Sequence, residues 1–273
     1  MRTTIVAEGG INHGGDLTCA LKLIKIAAFA GCDYIKWQKR TPDLCVPEEQ
    51  KSKLKKTIWG EIPYIDYRRR VEFGLKEYEV IFDTCAKENI KCFASVWDIP
   101  SCEFMKQFTD VAKIPSALIT DQKLCEYARK TFSTLMMSTG MSDENIVEES
   151  VRYTNPNIIF HTNSTYPCPE NELNLLYIKY LKNKYPNKII GWSGHEFGLL
   201  TTQASILLGA EYVERHICLS RTDWISDCLC SVEPQGLIKL VKGIRNIESA
   251  LGNGGPRRMS LGELEKRKVL RGY

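Results

Sequence analysis

The 273-residue sequence predicts a single α/β domain with the TIM, or (β/α)8, barrel fold. Eight short runs rich in β-branched and aromatic residues alternate with eight stretches whose apolar residues have helical spacing, as is typical of parallel α/β folds. The length also agrees with the roughly 250 residues that one barrel needs. A doubly wound open sheet is the structural alternative, because it is built from the same β/α units.

The strands and helices follow one another in order along the whole chain. Strands are predicted at Thr3–Glu8, Tyr34–Gln38, Lys91–Trp97, Val111–Pro115, Thr134–Ser138, Asn157–Thr162, Ile189–Ser193 and Tyr212–His216. Helices are predicted at Leu17–Ala30, Tyr78–Glu88, Cys102–Phe108, Gln122–Lys130, Asp143–Thr154, Leu173–Lys184, Leu199–Leu208 and Pro234–Leu251. Asp16 is positioned to cap the first helix, and Gly31 follows its last residue, where glycine commonly ends a helix.

One segment, at about residues 39–76, interrupts this alternation. Lys39–Lys76 is rich in Pro, Lys, Tyr and Trp, and a connection of this length is usually a functional lid or an additional surface feature. We interpret its run Arg68–Arg70 as a solvated basic face. We expect residues 1–255 to form the barrel with this insertion, and residues 256–273 to form a polar C-terminal tail.

Composition and charge argue against several classes of protein. A hydrophobic content of 43% and a charged content of 26% are those of an ordinary soluble domain. The net charge of +4 suits small anionic substrates, but it forms no basic stripe of the kind that nucleic acid requires. No signal peptide or membrane-spanning run is recognised, so we expect no membrane partner. Eleven cysteines without a CxxC pair predict reduced thiols and a cytoplasmic location, with Cys228 and Cys230 as metal ligands only a minor hypothesis.

The stretch Lys188–Ile217 has the pattern of a strand, a loop, a helix and a second strand, and it places a histidine at each strand end. In a right-handed parallel unit the ends of the strands that carry His195 and His216 emerge on the same side, roughly 5 Å apart. Two imidazoles in that arrangement favour a shared metal ion, and the alternative is a hydrogen-bonded pair at the rim of the core. His13 and His161 also lie near strand ends, which strengthens the hypothesis of a metal or acid–base site.

Two lysines, Lys36 and Lys113, follow apolar strand residues and are expected to point into the mouth of the barrel. A buried lysine requires an anion nearby. One interpretation is a phosphate or carboxylate ligand held by both ammonium groups together with hydroxyl groups of Ser116, Ser138 and Ser193. The other is a set of salt bridges to Glu8, Glu214 or Asp98.

At these residues the sequence resembles the sialic acid synthase (N-acetylneuraminate synthase) family. The opening AEGGINHGG…AGCDYIKWQ resembles the family pattern AEIGxNHxG…AxxAGAD…VKFQ. Seven further blocks follow in the family's order, which are FASVWD, AKIPSA, MMSTGM, FHTNSTYP, GWSGHEFG, LGAEYVERHICLSR and SDCLCSVEPQGL. Together the blocks extend over residues 5–252. The chain resembles a short form that lacks the family's C-terminal antifreeze-like domain.

The resemblance implies a transferase that condenses phosphoenolpyruvate with an open-chain aldose such as N-acetylmannosamine, forms a 2-keto-3-deoxy sugar acid and releases phosphate. It implies a divalent metal, commonly Mn²⁺ with Mg²⁺ or Co²⁺ as alternatives, bound by His195 and His216. The positions that match its phosphoenolpyruvate contacts are Lys36, Gln38, Lys113, Ser116, Ser138, Ser164 and Ser193. The positions that match residues around the sugar, the metal and the attacking water are Glu8, Tyr166, Glu214 and Asp227.

The sequence departs from the family pattern at some positions. Val96 stands where the family has a phosphate-contacting threonine, and Gly194 stands where it commonly has aspartate. Without the antifreeze-like domain, we expect a homo-oligomer that does not have the usual domain-swapped arrangement, and the Lys39–Lys76 segment is a candidate to close the site. Two alternatives stay open, a Schiff-base aldolase that uses Lys113 or Lys36 and a non-catalytic sugar- or phosphate-binding paralogue.

Overall fold

The computed structural model describes residues 2–223 and 227–272 and contains a closed barrel of eight parallel strands. The strands are β1 (Thr4–Gly10), β2 (Tyr34–Lys39), β3 (Leu54–Thr57), β4 (Gly60–Pro63), β5 (Lys91–Val96), β6 (Val111–Ile114), β7 (Thr134–Ser138), β8 (Ile158–Thr162), β9 (Ile189–Gly194) and β10 (Tyr212–His216). Around the barrel the order is β1, β2, β5, β6, β7, β8, β9 and β10, which returns to β1, while β3 and β4 form a separate antiparallel hairpin. The predicted TIM barrel is confirmed.

Helices cover the outside of the barrel and fill the connections between its strands. They are α1 (Leu17–Ala30), α2 (Pro42–Cys45), α3 (Glu48–Lys51), α4 (Tyr64–Arg70), α5 (Leu75–Lys87), α6 (Ile99–Lys106), α7 (Gln122–Thr131), α8 (Glu144–Thr154), α9 (Tyr177–Lys184), α10 (Leu200–Leu207), α11 (Pro234–Leu251) and α12 (Leu261–Arg271). The Asp16 carboxylate accepts a hydrogen bond from the Thr18 amide at 2.8 Å, and Gly31 ends α1 with a φ of 86°. Both predicted ends of the first helix are therefore correct.

The interior of the barrel changes from apolar to polar towards the C-terminal ends of its strands. An apolar layer inside the barrel comprises Val6, Phe93, Met136, Ile158 and Phe160. Side chains two positions apart in a strand lie on the same face. The next inward positions after Val6, Phe93, Met136 and Phe160 are therefore Glu8, Ser95, Ser138 and Thr162. This alternation places polar groups above an apolar floor.

The insertion after β2 folds into α2, α3, the β3–β4 hairpin and α4, and it packs on the loop between β1 and α1. Ile11 of that loop forms a buried cluster with Tyr67 and Val71 of the insertion. The expectation of a solvated basic run holds for Arg69 and Arg70, which are exposed, but it is wrong for Arg68, which is only 4% exposed. The reason is that Tyr67 and Arg68 occupy the buried face of a short helix, whereas Arg69 pairs with Asp43 and Asp66 at the surface.

Replacing Gly15 by alanine should loosen the contact between the insertion and the barrel. Gly15 has a φ of +78°, and an added Cβ atom would overlap the backbone carbonyl oxygen of Arg70. Strain and overlap together should lower the free energy of unfolding by at least about 2 kcal/mol. Gly60→Ala is the matched control, because Gly60 also has a positive φ but has open space around it. Equal losses in the two variants, measured by denaturant unfolding, would show that the contact contributes nothing.

The C-terminal residues 256–273, which the sequence predicts to be a polar tail, include the helix α12 with mostly exposed side chains. All eleven cysteines lie in the described part of the chain and are free thiols, most of them buried. Among the described helices, none combines the length and the apolar character required to cross a membrane.

Candidate active site

A cavity of about 250 Å³ opens at the C-terminal ends of the barrel strands. Twelve of the thirteen residues that the sequence singles out line it, namely Glu8, Lys36, Gln38, Lys113, Ser116, Ser138, Ser164, Tyr166, Ser193, His195, Glu214 and His216. The thirteenth, Asp227, does not line the cavity, but its carboxylate lies 3.9 Å from the Nδ1 atom of His216. The structure therefore brings the whole predicted set together.

The two lysines share a single carboxylate at the base of this cavity. The Nζ atoms of Lys36 and Lys113 each donate to a different oxygen of Glu214, both at 2.8 Å. Lys36 also lies 3.5 Å from a Glu8 oxygen and donates to the Ser95 hydroxyl at 3.2 Å. Parallel pairing explains the arrangement, because Glu8 is in register with Lys36, and Ser95 is in register with Lys113.

The predicted salt bridges from the two lysines to Glu214 and Glu8 are therefore present in this network. It does not include Asp98, whose carboxylate caps α6 by accepting a hydrogen bond from the Ser101 amide at 2.6 Å. The two interpretations of the lysines are compatible, since ammonium groups that are held by an internal carboxylate in the free protein are also positioned to contact an anionic ligand.

The balance between burial and the neighbouring lysines separates the pKa values of the two glutamates. Burial raises the pKa of Glu8 to about 8 despite the opposing charge of Lys36. Burial acts on Glu214 in the same direction, but there Lys113 and Lys36 outweigh it and hold the pKa well below its usual range. Burial lowers the pKa of Lys113 to about 8, whereas the Glu214 and Glu8 carboxylates overcome burial and raise the pKa of Lys36.

At neutral pH, Glu8 is therefore mainly protonated, Glu214 is ionised and both lysines carry a proton. The cluster of these four side chains then has one net positive charge inside a buried cavity. A net positive charge in a buried site is weakly screened by water, so it attracts anions strongly.

Hydroxyl groups surround this cation. The Ser193 hydroxyl donates to Glu214 at 3.2 Å, and the Ser116 hydroxyl accepts a hydrogen bond from the Gly140 amide at 3.1 Å. A Cβ atom at Gly140 would overlap the hydroxyl of Ser164 and lie 2.8 Å from that of Ser116, so both hydroxyls converge on this glycine. The lack of a side chain at Gly140 leaves these two hydroxyls accessible to an anion.

The two histidines predicted to bind a metal lie side by side, with ring centroids 5.3 Å apart. The Nδ1 atom of His195 lies 2.6 Å from the carbonyl oxygen of Asn163, so it carries the proton and the Nε2 atom keeps its lone pair. Burial lowers the pKa of both rings to about 3. His216 also lowers the pKa of His195, and the charge of Lys36 also lowers the pKa of His216.

The ring nitrogens of the two histidines are suitable ligands for a divalent metal ion. Both rings are neutral at physiological pH, as ligands must be, and the buried Nδ1 atom of His216 has no hydrogen-bond partner in the part of the chain that the structure describes. Within residues 2–223 and 227–272, no group of three or more His, Cys, Asp or Glu side chains is arranged to hold a metal. A metal at this pair would therefore keep positions open for water or substrate, as in catalytic sites.

Two of the four histidines do not face the cavity, so they add nothing to the metal hypothesis. His13 stacks on Phe73 with centroids 4.0 Å apart, and its Nδ1 atom accepts a hydrogen bond from the Gly15 amide at 3.0 Å. The His161 ring points out of the barrel, where its Nε2 atom lies 2.8 Å from the carbonyl oxygen of Leu173.

Several residues that contribute to the site are absent from the sequence-based set. Ser95, Trp97 and Thr162 line the cavity. Ser95 and Thr162 could have been found from strand periodicity, since each follows an inward aromatic residue by two positions. Val96 departs from the family pattern. Its side chain packs in the main apolar core and does not line the cavity.

A TIM barrel that gathers two lysines, a group of serines and two neutral histidines at its C-terminal face has the site of an enzyme acting on small anionic substrates. The chain belongs to the NeuB family, whose family model matches residues 23–255.

Relatives of known name cover most of the chain. It is 31% identical over 264 residues to N,N'-diacetyllegionaminic acid synthase of Campylobacter jejuni, a match that covers 93% of this chain and 78% of that protein. It is 33% identical over 258 residues to pseudaminic acid synthase of Campylobacter jejuni, a match that covers 92% of this chain and 75% of that protein. It is 31% identical over 256 residues to N-acetylneuraminate-9-phosphate synthase of Homo sapiens, a match that covers 91% of this chain and 71% of that protein.

A solved structure agrees with this assignment. The crystal structure of N-acetylneuraminic acid synthetase from Leptospira borgpetersenii, in complex with citrate, superimposes with a TM-score of 0.86 at 31% identity. The superposition covers 99% of this chain and 93% of that one.

Proposed function

We propose that this chain condenses phosphoenolpyruvate with an open-chain amino sugar to give a 2-keto-3-deoxy sugar acid of the sialic acid type. The observation that carries the proposal is the positively charged cluster of Lys36, Lys113, Glu214 and Glu8 in a barrel of the NeuB family. Phosphoenolpyruvate brings a carboxylate and a phosphate, and the two ammonium groups with the hydroxyls of Ser116, Ser138, Ser164 and Ser193 supply donors for both.

The reaction forms one carbon–carbon bond and breaks one bond to phosphate. C3 of phosphoenolpyruvate attacks the aldehyde carbon, the aldehyde oxygen takes up a proton, and water adds at C2 of the resulting cation. Collapse of that adduct to a ketone expels inorganic phosphate. Glu8 is protonated at neutral pH, so we assign it the proton for the aldehyde oxygen rather than the role of a charged stabiliser.

Glu214 is the ionised carboxylate of the cluster, which suits stabilisation of positive charge at C2. Burial raises the pKa of Asp227, opposed by Arg68, which favours its use as a base for the attacking water. The Tyr166 ring packs on His195 with centroids 4.0 Å apart and borders the space for the sugar. In this proposal His195 and His216 hold a divalent cation, Mn²⁺ by preference, which supplies Lewis-acid polarisation of the aldehyde when bound.

Phosphate release from phosphoenolpyruvate, measured with Mn²⁺ across a panel of aldoses, tests the proposal. The panel should include neutral, acetamido and phosphorylated sugars. Phosphate release that depends on both the sugar and phosphoenolpyruvate, with stoichiometric formation of a keto acid, supports the function. Absence of keto acid with every sugar would exclude it.

A Schiff-base aldolase is the second candidate, because the pKa of Lys113 lies at about 8 and a lysine with a lowered pKa is a suitable amine nucleophile. Borohydride treatment in the presence of pyruvate and a chelator distinguishes the two. A covalent adduct on Lys113 would favour the aldolase, whereas metal-dependent turnover without an adduct favours the condensation.

The free thiols support a reducing compartment, so the proposal also places the protein in the cytoplasm. We further propose that the protein forms a homo-oligomer, which light scattering of the purified protein would test.

A further inference from the structure

Two arginines of the insertion, Arg40 and Arg68, have buried guanidinium groups, and Arg40 lies in a groove next to the cavity. Arg40 follows β2 and is 7% exposed, and Arg68 lies on α4 and is 4% exposed. A buried charge is costly unless it is paired. The buried Arg215 obeys this rule, since it pairs with Glu196 and donates to the Gly198 carbonyl oxygen at 2.9 Å.

Arg40 and Arg68 do not obey it within residues 2–223 and 227–272. Neither forms an ion pair there, and the Nε atoms of both, together with Nη2 of Arg68, lack hydrogen-bond partners. Arg40 does donate to the side-chain oxygen of Gln38, and its guanidinium stacks on the Trp97 ring at 3.7 Å. Burial and the neighbouring charge of Arg68 lower the pKa of Arg40 to about 10.

The carboxylates nearby are already engaged by other groups. Glu72 accepts a hydrogen bond from Lys39 at 2.8 Å, and Asp98 accepts from the Thr41 and Ser101 amides. Asp121 caps α7 through the Leu124 amide at 3.0 Å. Asp227 interacts electrostatically with both arginines but forms no ion pair with them in the described structure. The two guanidinium groups thus lack a full counter-charge.

Arg40 borders a groove that adjoins the cavity of Lys36, Lys113 and Glu214, and Arg68 is close enough to act electrostatically on Arg40. Arg40 lines a groove of about 700 Å³ that shares Trp97 and Ala117 with the cavity. Gln38 connects the two, since it accepts from Arg40 and donates to Glu8 at 3.3 Å. Arg40 follows Lys36 by four residues, so at the rise of a strand their Cα atoms are about 13 Å apart.

We propose that Arg40 and Arg68 form a second anion subsite, which binds a phosphate monoester at the end of the acceptor sugar remote from its aldehyde. The proposal rests on the proposed function. The three-carbon skeleton of phosphoenolpyruvate, held at Lys36 and Lys113, is too short to reach the arginines, whereas an extended hexose that lies between the two subsites spans this distance. A phosphate dianion matches two guanidinium forks, each of which offers parallel N–H donors.

The variant Arg68→Gln tests the subsite, with Arg69→Gln as the matched control on the same helix, because Arg69 is exposed and pairs only at the surface. The measurement is kcat/KM for N-acetylmannosamine 6-phosphate and for N-acetylmannosamine, each with saturating phosphoenolpyruvate. In Arg68→Gln the ratio of the two values should fall by at least about tenfold, the effect of losing a charge-assisted contact. In Arg69→Gln it should stay at the wild-type value.

Thermal unfolding without ligand separates this role from a structural one. If Arg68 only supported the fold, Arg68→Gln would lower Tm, whereas removal of an uncompensated buried charge should leave Tm unchanged or raise it. A wild-type preference for the neutral sugar, or an unchanged ratio in Arg68→Gln, would overturn the proposal.

Calorimetric titration of the wild type with N-acetylmannosamine 6-phosphate alone distinguishes failure of the subsite from failure of the function. Binding that weakens in Arg68→Gln but not in Arg69→Gln supports the subsite even without turnover. Turnover of sugars with no such binding difference refutes the subsite and leaves the condensation intact.

Discussion

Replacing Glu214 by glutamine is expected to destabilise the unliganded protein by about 3–5 kcal/mol. The carboxylate accepts hydrogen bonds from Lys36 and Lys113, both at 2.8 Å, and all three side chains are buried. An amide keeps the shape but removes the counter-charge, so two ammonium groups remain in a buried cavity with little to neutralise them. Denaturant unfolding at neutral pH measures the loss.

Phosphoenolpyruvate should reverse part of this loss. In Glu214→Gln the two lysines lack their internal partner, and an anionic ligand supplies the missing charge. The ligand should therefore raise the Tm of the variant more than that of the wild type, even though phosphate release falls at least about 100-fold. Inorganic phosphate is the second probe, because it tests the same cluster without any reaction.

The control for this experiment is Glu211→Gln. Glu211 precedes β10 and pairs with Lys182 at 2.9 Å, but both side chains are partly exposed, so the loss should stay below about 1 kcal/mol. Similar stabilities of the two glutamate variants, or no extra stabilisation of Glu214→Gln by ligand, would show that the lysines do not depend on this carboxylate.

Strand periodicity explains why so much of the barrel and its site could be predicted from the sequence. Glu8, Lys36, Lys113 and Glu214 are charged residues within runs that otherwise read as buried strands, and parallel strands end on one side. Once the strands are assigned, these residues must meet. The positions of the side chains follow from local pattern and topology, and their roles in catalysis stay predictions.

Strand periodicity predicts the orientation of His161 but not that of His195. His161 and Thr162 are adjacent in β8, and because Phe160 faces inward, Thr162 faces inward and His161 faces outward. The alternation along this strand therefore excludes His161 from the cavity, although the residue lies near a strand end. His195 lies beyond β9, where strand periodicity no longer applies and only the three-dimensional path of the loop sets its direction.

The insertion was the least predictable part of the chain. Its polar, basic composition suggests an exposed loop, yet Tyr67 and Val71 anchor it on Ile11 through contacts between residues distant in sequence. The burial of Arg68 is a consequence of this packing, because α4 turns one arginine of the run inward and leaves the next two outside.

Replacing either His195 or His216 by alanine is expected to abolish Mn²⁺ retention and to lower phosphate release at least about 1000-fold, while the barrel stays folded. The two rings lie 5.3 Å apart by centroid and are neutral, and neither belongs to the apolar layer that fills the barrel. One imidazole and water molecules bind a divalent cation far less tightly than two imidazoles do. Metal retained after gel filtration, measured by mass spectrometry of the eluted protein, gives a readout that does not depend on turnover.

His161→Asn is the matched control for both variants. His161 is a buried histidine on the neighbouring strand, but its Nε2 atom contacts the carbonyl oxygens of Leu173 and Asn174 rather than the cavity. Its replacement should lower the free energy of unfolding by about 1–3 kcal/mol and leave the metal content unchanged. Wild-type metal content in His195→Ala or His216→Ala would refute the metal assignment. Loss of metal in His161→Asn as well would mean that the effect comes from the fold and not from the ligands.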